Sequence, residues 1–279
     1  MFFFRVLSHL PLTILYLFSD ILFLIACYVV KYRGKVIDEN LFHAFPDKTD
    51  QERNTIKKQF YRNFTDSIAE TIKFLTISKA ELEKRVKVEN AHIVSDRVSN
   101  GQTVIGVCGH FFNWEAHLLS YSAFQSQKCE TVYLKVNNPF FDKLMYTLRT
   151  RFNADLVERS QFQRNYIKKR NEPRLIVLAA DQRPYLADIR YWTKFMNRET
   201  AFFEGAEKLA KRFDNPVVFG SAHKPNRGHY VFTYQLIADA PHEETPHSIT
   251  DKFIALTEQN IHEEPALYLW SHNRWKESR

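Results

Sequence analysis

Near the N-terminus the chain is apolar at almost every position, and further on short apolar strands alternate with amphipathic stretches. Leu10 to Val30 reads LPLTILYLFSDILFLIACYVV, 21 residues with Asp20 as the lone charge. At roughly 1.5 Å rise per residue, a helix of that length just crosses a ~30 Å hydrocarbon core. Asp20 opposes a simple span, because a mid-helix Asp costs on the order of 2.5–3.5 kcal/mol on insertion scales. Pro11 opposes it slightly more. The segment is expected to attach the protein to a membrane, by crossing it, lying in its interface or docking partly on the protein. The alternative is a buried helix of a soluble core. Lys31, Arg33 and Lys35 follow at once. By the positive-inside rule they put the remaining chain in the cytoplasm. A cleaved signal peptide fits poorly: Arg5 is the only charge before the long apolar run, and no A-x-A-like site follows.

Glu39 to Leu75 reads as polar and helical, with apolar residues of FYRNFTDSIAETIKFL at helical spacing. Ser78 and Glu81 form a capping-box pattern for a short helix over Lys79 to Arg85. Strands are predicted at Thr103–Cys108, Thr131–Val136, Leu175–Ala180, Pro216–Ala222 and Tyr230–Leu236, with another around Asp155–Glu158. Helices are predicted over 114–126, 139–151, 160–171 and 201–213. That alternation predicts an α/β fold, a largely parallel sheet flanked by helices, behind an N-terminal membrane helix. No repeat or linker divides it, so residues 1–35 read as the anchor and 36–279 as one domain.

The net charge of +7 favours anionic partners such as phospholipid headgroups, phosphorylated substrates or acidic carrier proteins. Nucleic acid is disfavoured, since the basic residues are scattered and no recognition motif appears. Cys27, Cys108 and Cys129 form no C-x-x-C pair and point to a reducing setting rather than a disulfide scaffold.

The chemistry concentrates where strand TVIGVC runs into Gly109-His110-Phe111-Phe112-Asn113-Trp114-Glu115. Gly109 permits a tight exit from the strand, and Asn113 is placed to cap a helix starting at Trp114. His110 then sits at the carboxyl edge of the sheet, where open α/β folds bind ligands. Glu115 falls in the first helical turn, within reach of the imidazole. A carboxylate on one ring nitrogen frees the other to take a proton from an attacking hydroxyl. The bare spacing H-x-x-x-x-E also occurs by chance, and a structural histidine is the alternative. Cys108 as a nucleophile, or His110, Glu115 and His117 as metal ligands, are the lesser readings: strand cysteines are usually buried, and one turn supplies too few ligands.

GHFFNWE resembles the signature block of the bacterial lipid A late acyltransferases, the lauroyl- and myristoyltransferase family. The resemblance runs through YRGKVIDENLFHAFPDKT, FYRNFTDSIAETIKF, KVNNPFFDKLMYTLRTRF, LAADQRP, TAFFEGAEKLAKRF and EEPALYLWSHNRWK. It implies a membrane-bound O-acyltransferase of the lysophospholipid acyltransferase superfamily, with a role in lipopolysaccharide synthesis. An acyl carrier protein or coenzyme A thioester would be the donor and a lipid A precursor the acceptor, with no metal or redox cofactor. In that light His110 is the base, Glu115 its partner, and Arg149 a residue near the acceptor's phosphate or the thioester oxygen. Asp181 is an acidic residue facing the same cleft, and Asn113 joins the substrate-binding set. The departures are Phe112 and Asn153, where the family often has Gly, and HNRWK in place of HRRWK. Other acceptors (a lysophospholipid, aminolipid or glycolipid) stay open, as does a non-catalytic, basic membrane-binding module.

Overall fold

The computed structural model describes residues 2–184, 191–242 and 244–276. The apolar N-terminus is not one straight helix. It forms α1 (Phe2–Ser8) and α2 (Leu12–Leu24), which runs on into a single wide turn over Ile25–Val29. Pro11 immediately precedes α2, at a helix start where its missing N–H costs little. After the basic segment come α3 (Gly34–Ala44) and the long α4 (Asp50–Phe74), opened by a reciprocal capping box between Thr49 and Glu52. The helical stretch expected over Glu39–Leu75 is thus two helices, interrupted where Pro46 follows Phe45.

Helix α2 docks on α4 along one face. Leu12, Leu15, Ser19 and Phe23 are buried at helical spacing, while Ile14, Leu17, Phe18, Ile21 and Leu22 on the other side are exposed. The polar contacts form an antiparallel ladder. Asp20 meets Arg62 at 2.7 Å, Ser19 donates to Asp66 at 2.7 Å, and Tyr16 donates to Glu70 at 2.7 Å. Lys73 and Thr76 then bond the carbonyls of Leu10 and Ser8. Arg227 adds a second guanidinium to Asp20 at 2.7 Å and a third hydrogen-bonded ion pair to Asp66. The charge that made a simple span costly is therefore spent on the protein itself.

The sheet follows from α5 (Lys79–Arg85), β1 (Val86–Glu89), α6 (His92–Ser99), β2 (Val104–Cys108) and α7 (Trp114–Phe124). It continues through β3 (Cys129–Tyr133), α8 (Pro139–Arg149), β4 (Ala154–Glu158), α9 (Phe162–Lys168) and β5 (Leu175–Ala179). The last third holds β6 (Tyr191–Phe195), β7 (Arg198–Phe202), α10 (Gly205–Phe213), β8 (Val217–Asn226), β9 (His229–Ala238) and α11 (Ser248–Glu263). Seven strands run in the order β1-β9-β8-β2-β5-β3-β4, parallel except where β8 meets β9. The α/β class is as expected, and Ser78 caps α5 through the Glu81 N–H.

Local expectations shifted in two places. Helix α10 starts at Gly205 rather than 201, because 198–202 is taken by a hairpin with β6. Its two turn residues, Met196 and Asn197, both have positive φ, the backbone that lets a two-residue turn match strand twist. Strand β3 begins at Cys129 and ends at Tyr133, set by its pairing with β4 and β5.

Helix α7 lies against the sheet through His117, whose ring stacks on Phe232 at 4.2 Å and bonds the Tyr234 hydroxyl at 2.9 Å. This histidine is engaged by the β9 residues Phe232 and Tyr234. Burial lowers its pKa from the usual 6.5 to about 4, and His272 is likewise held at about 4, chiefly by burial. Above pH 6.5 both rings are neutral whether folded or unfolded. Below it the unfolded chain takes up protons that the folded chain refuses until about pH 4, so stability falls as the pH drops through that window. Melting temperatures between pH 7 and pH 4 are expected to fall less steeply for a His117→Phe/Tyr234→Phe double variant, which removes one of the two groups and leaves no orphaned hydroxyl. An unchanged slope would mean that His117 does not contribute.

Candidate active site

Strand β2 ends at Cys108, and two residues later the chain presents His110. Strand β5 ends at Ala179, and two residues later it presents Asp181. The strands are parallel neighbours with Cys108 opposite Ala179, so the register brings His110 and Asp181 side by side at the carboxyl edge of the sheet. Asp181 grips His110 twice: its Oδ2 accepts from the backbone N–H at 2.9 Å, and its Oδ1 lies 2.5 Å from Nδ1. Burial alone would raise the Asp181 carboxyl. The attraction of the imidazolium when His110 is protonated and the two hydrogen bonds outweigh it, and the pKa lies below the usual carboxylate value. An ionised carboxylate only accepts, so the ring proton sits on Nδ1 and Nε2 carries the lone pair. The imidazole is 20% exposed while Asp181 is 2% exposed, a buried anchor under an accessible ring.

The loop is held from the other side by the C-terminal segment. Phe112 N–H donates to the Leu267 carbonyl, Leu269 N–H donates to the His110 carbonyl, and Phe111 bridges to Tyr268. Gly109 is needed for space: a Cβ there would lie 2.7 Å from the Phe111 ring. Phe112, one of the departures from the family pattern, packs in the core against Phe60, Phe64 and Trp114. Asn153 has φ of 69°, the left-handed backbone that Asn tolerates where Gly is common. Burial raises the Cys108 thiol to about 12, with the Asp181 charge adding to it, so it is no nucleophile.

Glu115 is not the partner of His110. Among the described residues both its oxygens are committed elsewhere. Arg149, the last residue of α8, donates Nε to Oε2 at 2.9 Å and Nη2 to Oε1 at 2.5 Å. The Trp114 indole N–H adds a third bond at 3.0 Å, and its ring meets the His110 ring edge-on with centroids 5.6 Å apart. The expected His110–Glu115 contact is therefore corrected to two neighbouring pairs, His110 with Asp181 and Glu115 with Arg149, with Trp114 touching one residue of each. The reason is geometric: Asp181 reaches the backbone N–H and the ring Nδ1 of His110 from the adjacent strand, while Glu115 faces the end of α8.

Asn113 is also reassigned. Its Oδ1 accepts from the Glu115 N–H at 3.0 Å, capping α7 as expected, and its Nδ2 donates to Glu70 at 2.9 Å. Buried with both polar ends used, it holds the loop to α4 and α7. Asp181, expected among the substrate-binding residues, faces His110. The sequence reading passed over Glu70, Asp66 and Arg227; the signal was polar residues repeating every four positions on α4 opposite an otherwise apolar helix.

Residues 1–277 match the family described as bacterial lipid A biosynthesis acyltransferase. The chain is 25% identical over 248 residues to a lipid A biosynthesis acyltransferase of Haemophilus influenzae, which covers 88% of this chain and 78% of that protein. It is also similar to the crystal structure of the 1-acyl-sn-glycerophosphate (LPA) acyltransferase from Thermotoga maritima. That likeness has a TM-score of 0.42 and 14% identity, covering 92% of this chain and 99% of that one. The sequence matches define an acyltransferase that acts on a lipid. More narrowly, the chain belongs to the bacterial lipid A biosynthesis acyltransferase family.

Proposed function

We propose that this protein moves a fatty acyl chain from an acyl carrier protein or coenzyme A thioester to a hydroxyl of a lipid A precursor, with His110 as general base. The double grip of Asp181 on His110 carries this reading. With Nδ1 protonated and anchored, Nε2 takes the proton as the acceptor oxygen attacks the thioester carbonyl. Asp181 stabilises the imidazolium that forms. The ester C–O bond forms, the C–S bond breaks, and the imidazolium returns its proton to the leaving thiolate. No enzyme nucleophile is needed. Arg149, fixed in orientation by its two bonds to Glu115 and linked to His110 through Trp114, supplies positive charge for the acceptor's phosphate or the thioester oxygen.

Mass spectrometry of lipids from cells lacking the protein tests the acceptor. The expected result is a lipid A species short of one acyl chain. Unchanged lipid A with an altered glycerophospholipid would overturn the acceptor and leave the acyl transfer.

The exposed face of α2 supports attachment to the inner membrane with the site on the cytoplasmic side. Leu17 at 64% and Ile21 at 56% exposure belong to a continuous apolar strip. Beyond its end lies a concavity of about 460 Å³ lined by Lys31, Arg33 and Lys35 together with the Lys57–Asp38 ion pair, a net positive lining suited to anionic headgroups. A Leu17→Glu/Ile21→Glu variant is expected to leave the membrane fraction after a high-salt wash, which screens headgroup attraction. Its melting temperature should stay near that of the wild type, since neither side chain faces α4. Retention in the washed membrane would refute attachment through this face.

A further inference from the structure

We propose that Glu70 is a positioning residue that couples the seating of helix α2 to the alignment of the catalytic loop; the inference rests on the acyl-transfer reading above. Glu70 stands on α4, 1% exposed, at the meeting point of three elements. Its Oε1 accepts from the Tyr16 hydroxyl of α2 at 2.7 Å. Its Oε2 accepts from Asn113 Nδ2 of the catalytic loop at 2.9 Å and from the Tyr230 hydroxyl of β9 at 2.7 Å. Burial, reinforced by Glu70 itself, holds the Tyr230 hydroxyl well above its ordinary pKa, so it remains a donor.

Every hydrogen-bond donor to Glu70 among the described residues is neutral. A buried carboxyl satisfied in this way contributes less to stability than an apolar side chain of similar size would, because its desolvation is only offset. Holding α2 in place does not require it. Leu12, Leu15 and Phe23 already bury that face, and the Asp20 ion pairs with Arg62 and Arg227 fix its register. Glu70 adds a connection to Asn113. The other end of the Asn113 amide caps α7 at Glu115, and Glu115 holds Arg149. A connected series of hydrogen-bonded residues thus runs from the N-terminal helix to Arg149. If α2 slides or lifts, Tyr16 leaves Glu70, the carboxyl is free to turn, and Asn113 loses the contact that fixes its amide. Acyl transfer then depends on how α2 is seated, separately from how much protein reaches the membrane.

The test compares Tyr16→Phe, Glu70→Gln and Ser19→Ala in full-length protein in detergent–lipid mixed micelles. Tyr16→Phe keeps the ring and deletes only the hydroxyl. Ser19→Ala removes a neighbouring contact of α2 that goes to Asp66 and not to Glu70. Hydrogen–deuterium exchange is read over residues 110–117, and kcat and KM are measured on the same samples. Tyr16→Phe and Glu70→Gln are expected to speed exchange in that segment about tenfold, the factor that one hydrogen bond of ordinary net strength corresponds to. They should lower kcat by a similar factor with KM little changed, while Ser19→Ala does neither. Wild-type exchange and kcat in Tyr16→Phe would overturn the coupling even if Glu70→Gln failed to fold. If the wild type transfers no acyl chain, the acyl-transfer reading fails, and exchange over 110–117 still decides whether α2 and the loop are coupled.

Discussion

His110→Ala is expected to lower acyl transfer by about 10²–10⁴-fold, the range that a positioned general base supplies. The loss should appear in kcat, because the ring acts on a proton in flight. Some stability goes with it, since Oδ1 of the buried Asp181 is left without its ring N–H. His110→Asn is the control that separates the two. Its side-chain amide N–H lies near the position of Nδ1 and restores the bond to Asp181, but it has no basic nitrogen. Melting temperature should return toward wild type while activity stays lost. Asp181→Asn is expected to cost nearly as much activity as His110→Ala, because it releases the tautomer and removes the charge that stabilises the imidazolium. If instead Glu115→Gln matched His110→Ala and Asp181→Asn were nearly silent, the assignment of the orienting carboxylate would be wrong.

The second large effect is at Arg149. Arg149→Lys keeps the charge but cannot reproduce two parallel hydrogen bonds to Glu115. Activity is expected to fall more than about tenfold, since one missing charge-assisted bond of about 1.5–3 kcal/mol frees the cation to wander from the reaction centre. With Glu115 buried beneath the guanidinium, a modest loss of stability is also expected, measurable as a lower melting temperature. Unchanged kinetics would make Arg149 a purely structural clasp for α7 and α8. Unchanged kinetics and stability together would show that the pair contributes nothing, as many exposed ion pairs do.

Much of this site is written in local chemistry. Strand TVIGVC, the cap at Asn113 and the helix behind it follow from apolar runs and a side chain suited to an N-cap, all within a dozen residues. His110 could be placed at the carboxyl edge of the sheet without knowing any other strand. The same holds for the helices around 139–151 and 160–171.

Its partner could not be so placed. Asp181 reaches His110 because β5 lies between β2 and β3, an order that sequence adjacency does not reveal. Glu115, five residues away, looked nearer because chain distance was the only distance on hand. Arg149 and Glu115 meet because the end of α8 returns to the start of α7, a consequence of packing both helices on one sheet. The N-terminal run shows the same division. Composition alone made it apolar, and flagged Asp20 as costly for a span. Only the tertiary structure showed that Arg62 and Arg227 receive that charge, and that Tyr16 reaches a carboxyl bonded to Asn113 of the His110 loop. Periodicity and caps act over one or two turns and can be read from neighbours. The choice of which buried polar group satisfies which is made across the fold, by strand order and helix docking, after the local elements already exist.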